Sequence, residues 1–225
     1  MKFYALRNKL VIRITPKASE FLKAYSSNTL EKPRNAFLDI KGKIVAIFDQ
    51  VSLSEEESLI VIERQFFERL KNHLKTYLFL TGTRLEPLDY LVFHDLDGDL
   101  EIQAEEFLIP QAKGKLILTR KHRIADVSQE AYTLFRLKNN LPVQGADYDE
   151  ESLLNIDDET LVSYTKGCYL GQEIIARVHH RSKPPKKLIV KIKSECRPDE
   201  ASRMTSTAVD PFSQKELGFL FVDNS

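Results

Sequence analysis

The sequence predicts an α+β protein whose sheets are mainly antiparallel. Three observations lead to this fold class. Strand-like and helix-like segments alternate up to about residue 180 without the regular strand–helix–strand spacing of a parallel sheet. The dipeptide Asp97-Gly98 lies between two apolar segments, which is a strong signal for a β-hairpin. After Pro184-Pro185 the apolar segments are strand-like, so the tail is predicted to be a small β module.

The N-terminal part is predicted to alternate strands and helices. Residues 10–14 are rich in β-branched side chains and form a strand. Thr15-Pro16 then marks the start of a helix with an apolar face. Residues 64–77 repeat apolar side chains at helical spacing and form an amphipathic helix. The further strands predicted here are two within 35–49 joined at Lys41-Gly42, one over 58–63, and a return strand from 78–80 to Leu85 around Gly82.

The rest of the chain follows the same pattern, and its composition divides it into two parts. The predicted helices are 129–137 and the stretch that begins near 172, and an acidic loop spans 147–158. The predicted strands are 91–94, 100–102, 115–118, 187–192 and 217–222. We therefore predict a main domain over residues 1–182 and a C-terminal β module over residues 183–225.

Composition excludes several classes of protein. The 225 residues carry a formal net charge of zero, so neither a general polyanion-binding surface nor direct DNA binding is predicted. The two cysteines cannot form a disulfide framework, and a reducing compartment is expected. The N-terminus lacks the features of a signal peptide and no segment reaches the length of a membrane span, so we predict a cytoplasmic location and no membrane partner. The oligomeric state is left open.

Cys168 is the candidate catalytic residue, and it lies in the run Thr-Lys-Gly-Cys-Tyr-Leu-Gly-Gln-Glu-Ile-Ile-Ala-Arg-Val of residues 165–178. A thiol ahead of a helix, with Lys166 and Arg177 nearby, is expected to favour the reactive thiolate form. On local chemistry alone, a buried structural cysteine is the favoured interpretation. The adjacent pair His179-His180 would point in different directions on a helix, so no metal site is predicted.

The segment from Lys166 to Glu173, which reads Lys-Gly-Cys-Tyr-Leu-Gly-Gln-Glu, resembles the signature of the YgfZ-type folate-binding proteins. These are relatives of the glycine-cleavage T-protein, an aminomethyltransferase, and include mitochondrial iron–sulfur assembly factors. The signature is long and of fixed order, which makes it specific. Weaker similarity covers residues 18–30, 35–44 and the tail. The resemblance implies a T-protein-like folate-binding domain followed by a β-barrel-like segment shorter than the family usually has.

The resemblance also implies roles for particular residues. The motif and partner-binding set would be Lys166, Gly167, Tyr169, Gly171, Gln172, Glu173 and Arg177. In that set the glycines would allow a sharp turn and close backbone approach, the two cations would favour the thiolate, and the tyrosine and glutamine would line a pocket or hold the turn. The cofactor would be tetrahydrofolate, with Asn28, Asp39 and Lys138 as candidate binding residues.

One departure from the T-protein enzymes bears on activity. Lys138 stands where those enzymes have a pterin-binding glutamate, and an ammonium cannot accept hydrogen bonds from an aminopyrimidine edge. On this alignment, Lys138→Glu would strengthen folate binding. A catalytic aspartate is represented only by the candidates Asp39 and Asp49. Both points argue against a competent aminomethyltransferase.

The resemblance therefore implies an accessory protein for assembly or repair of iron–sulfur clusters, which could depend on tetrahydrofolate and support cluster enzymes that modify tRNA. Its partners would be iron–sulfur proteins or their assembly factors. Two alternatives stay open: a tetrahydrofolate-dependent enzyme of one-carbon metabolism that resembles the aminomethyltransferases, and a scaffold in which the motif only joins two domains.

Overall fold

The computed structural model describes residues 2–100, 103–156, 159–181 and 183–224. The strands are β1 (Phe3–Ala5), β2 (Lys9–Thr15), β3 (Arg34–Leu38), β4 (Ile44–Ser52), β5 (Ser58–Glu63), β6 (Arg84–Leu88), β7 (Leu91–Asp95), β8 (Phe107–Pro110), β9 (Lys115–Thr119), β10 (Lys186–Ile192), β11 (Thr205–Val209) and β12 (Glu216–Asp223). The helices are α1 (Ala18–Tyr25), α2 (Phe67–Thr81), α3 (Gln129–Lys138), α4 (Gln172–Arg181) and the single turn α5 (Pro198–Ala201). None of the described helices is long and apolar enough to cross a membrane.

The strands form antiparallel sheets, which confirms the predicted α+β class. The main sheet has the order β3-β4-β5-β2-β6, and a second sheet has the order β1-β7-β9-β8. A C-terminal sheet has the order β10-β12-β11. Each pairing in these sheets is antiparallel.

The main sheet is buried on both faces because alternate side chains along a strand point in opposite directions. On one face, Ile12 of β2 and Ile60 of β5 pack with apolar residues of α1 and α2. On the other face, Val11 and Val61 pack against the second sheet. Toward the β3–β4 edge, Leu38 joins a third cluster that includes the Cys168 loop and the C-terminal sheet. This edge therefore positions the candidate motif.

The C-terminal sheet is also fixed by polar contacts at α3. The buried Arg136 guanidinium donates to Asp147 Oδ2 at 2.7 Å and to Ser206 Oγ at 2.7 Å. Thr205 Oγ1 donates to the other oxygen of Asp147, at 3.1 Å. The boundary after residue 182 stays a prediction, and residue 182 itself lies outside the described residues.

Two local predictions are wrong for physical reasons. Residues 78–80 belong to α2, because the helix continues to Thr81 and ends where Gly82 adopts a left-handed φ of 71°. The return strand is β6 instead. Asp97-Gly98 does not join hairpin partners within the described residues: β7 pairs with β1 and β9, and the buried Asp95 carboxylate accepts from the backbone N–H groups of Gly98 and Leu100. Residues 101 and 102 of the predicted partner strand lie outside the described residues.

Candidate functional site

The loop that carries Cys168 is held against the segment that follows α1. Ser163 N–H donates to the Ser27 carbonyl at 3.0 Å, and Ser27 Oγ donates to the Leu161 carbonyl at 2.6 Å. The Asn28 side chain donates to the Thr160 carbonyl. These bonds join the two segments through backbone groups. The Cys168 loop is therefore anchored at its start.

Lys166 forms the central link in this anchor. Its ammonium donates to the carbonyl oxygens of Ser26 at 2.7 Å and Asn28 at 2.9 Å, and lies 5.3 Å from the centre of the Tyr169 ring. Burial lowers the pKa of Lys166 to about 8. Its charge is thus engaged by backbone oxygens, which differs from the expectation that Lys166 serves the thiol.

Cys168 is an exposed free thiol, so the structure does not support a buried structural cysteine. The helix α4 begins at Gln172, and residues 169–171 separate Cys168 from it. Because helix-dipole effects fall off within the first turn, the dipole of α4 acts on the Cys168 thiol more weakly than the sequence predicts. Arg177, the second expected cation, forms an ion pair with Glu173 at 2.6 Å on the exposed face of α4.

The start of α4 packs closely on the turn between β3 and β4, and glycine makes this possible. Gly171 has a φ of 84°, and a Cβ there would clash with the Asp39 carbonyl oxygen and lie 3.3 Å from Gly42 Cα. The expected role of close backbone approach therefore applies to Gly171. It does not apply to Gly167, where a Cβ would meet nothing within 4 Å and φ is not in the left-handed region.

The neighbouring motif residues mainly hold this arrangement. Tyr169 is buried in the cluster that contains Leu38 and Ile175, and burial, with a smaller effect of Tyr164, raises its pKa to about 12. Gln172 is half-buried, and its backbone N–H donates to the Tyr169 carbonyl at 3.2 Å. Of the two roles expected for Tyr169, the structure favours holding the turn.

The three candidate cofactor-binding residues are not brought together in one cavity. Asn28 is buried and bonds to backbone groups, as above. Asp39 Oδ1 accepts from the backbone N–H groups of Lys41 and Lys43, each at 2.8 Å, and so shapes the β3–β4 turn. Lys138 forms an ion pair with Asp210 at 2.9 Å. None of the three lines the cavity that contains Asp49 and His94.

That cavity has a volume of about 590 Å³, within the range of small-molecule sites. Its lining residues come from the segment after β1, the main sheet, the second sheet, α3 and the loop after α3. Motif residues 166–177 are not among its lining residues, so the candidate thiol and the cavity are separate features. Asp49, the second candidate aspartate, does line it and is 5% exposed.

A short hydrogen-bond chain lies in the cavity wall. His94 Nε2 lies 2.8 Å from the Lys113 carbonyl, so this nitrogen carries the proton. His94 Nδ1 therefore accepts from the Tyr132 hydroxyl at 3.1 Å. Burial lowers the pKa of His94 and raises that of Tyr132, which keeps both groups neutral at physiological pH.

The cavity fits the pteridine of a tetrahydrofolate in chemical terms. It holds a buried carboxylate, Asp49, and a stacked aromatic pair, Tyr4 and Tyr132, with ring centres 3.8 Å apart. A carboxylate can accept two hydrogen bonds from an aminopyrimidine edge, and aromatic side chains pack well against flat rings. Among the described residues there is no group of three or more His, Cys, Asp or Glu side chains placed to hold a metal ion.

Lys166 is expected to titrate near pH 8. NMR of the reductively methylated protein would show one dimethyl-lysine signal with this midpoint, and the signal should be absent in Lys166→Arg. Because the native pKa lies below the unfolded value of 10.5, the unfolded chain binds more protons between these values, and stability should rise with pH across that window. A Lys166 signal that titrates only above pH 10 would contradict the burial described here.

Lys138→Glu is expected to lower the thermal midpoint and to leave tetrahydrofolate affinity unchanged, opposite to what the family alignment implies. The substitution sets a second carboxylate beside Asp210. The hydrogen bond from Lys138 lowers the pKa of Asp210, so its stabilising effect is present above pH 3.8 and is lost on acidification. Lys138→Met, which only removes the ion pair, should lower the midpoint less. Tighter binding by Lys138→Glu in calorimetry would place this residue at the ligand after all.

Comparison with known proteins defines the class first by fold. The structure resembles the glycine cleavage system aminomethyltransferase T from Bartonella henselae, with a TM-score of 0.75 over 99% of this chain and 78% of that protein, at 14% identity. The chain therefore has the aminomethyltransferase T fold. No family model matches it.

Sequence comparison then gives the particular relatives. The chain is 31% identical over 181 residues to the "tRNA-modifying protein YgfZ" of Colwellia psychrerythraea, covering 66% of this chain and 56% of that protein. It is 27% identical over 130 residues to an "Iron-sulfur cluster assembly factor IBA57 homolog, mitochondrial" of Dictyostelium discoideum (56% and 32%). A protein of the same name from Pyricularia oryzae is 23% identical over 220 residues (83% and 56%). The chain thus spans about half or less of these relatives, and it is a distant relative of the YgfZ and IBA57 proteins.

Proposed function

We propose that the protein is an accessory factor for the assembly or repair of iron–sulfur clusters, with Cys168 as its functional thiol. The observation that carries this proposal is an exposed cysteine on an anchored loop, within the signature that resembles the YgfZ-type proteins. The names of the relatives, cluster assembly factors and a tRNA-modifying protein, support the same function. A thiol held at the surface can reach a cluster intermediate or a partner protein, because no side chain has to move to expose it.

We infer further that tetrahydrofolate is the ligand of the cavity. Asp49, Gln111 and the pair Tyr4 and Tyr132 would hold it, and the bound cofactor would supply one-carbon chemistry at its nitrogen atoms. Cys168 does not line the cavity, so the ligand and the thiol would occupy different places in the fold. This separation favours a ligand that supports or regulates the factor. The motif residues would then act by holding the thiol, with Glu173 and Arg177 available to a partner on the exposed face of α4.

We also propose a reducing compartment, such as the cytoplasm, and iron–sulfur proteins or their assembly factors as partners. The two free cysteines agree with this location. Cluster enzymes that modify tRNA are the proposed clients, because one relative carries that activity in its name.

Complementation tests this function. The chain would be produced in a bacterial strain that lacks its own YgfZ protein, and the activity of a tRNA-modifying iron–sulfur enzyme would be measured against the amount of folded chain. We expect activity to be restored above the empty-vector level. Folded chain at normal level without any restoration would refute the proposed function.

A further inference from the structure

The cavity wall contains a buried carboxylate, Asp49, for which the described residues show no ion pair. Asp49 lies in β4 and is 5% exposed. Its described hydrogen-bond partner is Gln111, whose Nε2 donates to Oδ1 at 3.2 Å. Arg34 lies opposite Asp49 in the β3–β4 register and also lines the cavity, but within the described ranges no ion pair joins Asp49 to any cation. A buried carboxylate with so few donors is costly unless a ligand supplies more.

Two other charged groups of the cavity wall have partners within the protein. Glu63 forms an ion pair with Lys9 at 3.0 Å. Arg136 is paired with Asp147 at 2.7 Å and bound to Ser206. Asp49 is therefore the carboxylate with capacity left for a ligand.

The wall near α3 also offers an acceptor, the hydroxyl oxygen of Tyr132. The Tyr132 hydroxyl donates its hydrogen bond to His94 Nδ1, because the Lys113 carbonyl accepts from the other ring nitrogen. The Tyr132 oxygen therefore keeps its lone pairs as acceptors. Tyr132 also stacks on Tyr4 with an angle of 9° between the rings. Together these groups suit a flat ligand with an edge rich in hydrogen-bond donors.

We propose that Asp49 is the residue that recognises the 2-aminopyrimidine edge of a pteridine in this cavity, with Gln111 positioning its carboxylate; this rests on the proposed binding of tetrahydrofolate. Recognition then comes from β4. The alignment with the aminomethyltransferases puts it at the end of α3, where Lys138 faces Asp210 outside the cavity. The two neighbouring donors of the aminopyrimidine, a ring N–H and the exocyclic amino group, match the two oxygens of the carboxylate.

Calorimetry with two probes, tetrahydrofolate and its 2-desamino analogue, tests the assignment. Asp49→Asn keeps the shape of the side chain and removes its charge. We expect this variant to bind tetrahydrofolate about 10- to 100-fold more weakly than the unaltered protein, the loss of a charge-assisted hydrogen bond. The 2-desamino analogue should bind the unaltered protein weakly and should be nearly indifferent to the substitution. Circular dichroism would show that the variant is folded.

Asp39→Asn is the matched control, because Asp39 is an aspartate of the adjoining turn that does not line the cavity. Its affinity for both probes should be unchanged. Unaltered tetrahydrofolate binding by Asp49→Asn, or an equal loss for both probes, would overturn the assignment of Asp49. Absence of binding by the unaltered protein would overturn it too. The proposed function is judged separately, by complementation with the same Asp49→Asn chain and the unaltered one.

Discussion

Replacing Cys168 with alanine is expected to abolish the restoration of cluster-enzyme activity while the protein stays folded. The side chain is exposed, and surface substitutions of this kind change stability by about 0.5 kcal/mol or less. The loop would keep its anchor, because Lys166 and Ser163 bond through groups that the substitution leaves in place. Activity per folded molecule in the deletion strain is the measurement, with the thermal midpoint recorded for the same variant.

Cys196→Ala is the matched control for this experiment. Cys196 is the second free cysteine, and its thiol donates to the Ile192 carbonyl beside the C-terminal sheet, away from the motif. This variant should restore activity in proportion to its folded amount. If Cys168→Ala restored activity equally well, the thiol would have no functional role, and the motif would be structural.

Gly171→Ala is expected to destabilise the protein by about 2–4 kcal/mol, the largest stability effect that we predict for the motif. The backbone at Gly171 has a φ of 84°, which side chains rarely adopt, and the added methyl group would meet the Asp39 carbonyl oxygen and Leu38 Cβ. Relief would require the start of α4 to move away from the β3–β4 turn, which would also disturb the packing of Ile175 against Gly42. Chemical denaturation with the linear extrapolation would measure the loss.

Gly167→Ala provides the control for this prediction within the same loop. A Cβ at Gly167 would enter open space, so the expected change is within about 0.5 kcal/mol. Equal stability of the two variants would mean that the close approach of α4 to the β3–β4 turn does not hold the motif. Comparing the two variants thus shows whether the loss of stability comes from the backbone geometry at Gly171 or from any replacement of glycine in this segment.

The regular elements of this fold were largely predictable, and the misplaced ones share a cause. The helices α1 and α3 and the strands β2, β4 and β9 have strong local patterns, and their positions agree with the structure. Residues 78–80 are apolar enough for a strand or a helix, and they are helical because α2 continues through them to Thr81. The short strands β1, β8 and β11 gave no local signal because their pairing depends on distant partners.

The candidate site shows a sharper division between the two sources of information. The motif around Cys168 is contiguous, so the sequence alone indicated the thiol, the glycine at 171 and the family it resembles. The cavity is assembled from segments that span residues 4 to 146, and no local pattern identified Tyr132, His94 or Gln111 as neighbours. Alignment likewise put Lys138 at the ligand, whereas its side chain pairs with Asp210 of the C-terminal segment.

The sequence by itself determined the α+β class, the apolar faces of the helices and the position of the candidate thiol, because each depends on residues close together in the chain. Tertiary structure alone decided which charges are available. Lys166 is engaged by the carbonyls of Ser26 and Asn28, whereas Asp49 remains without a paired cation in the described structure. Charges act through space and are set by burial and by partners distant in sequence, so only the folded chain shows which of them can meet a ligand.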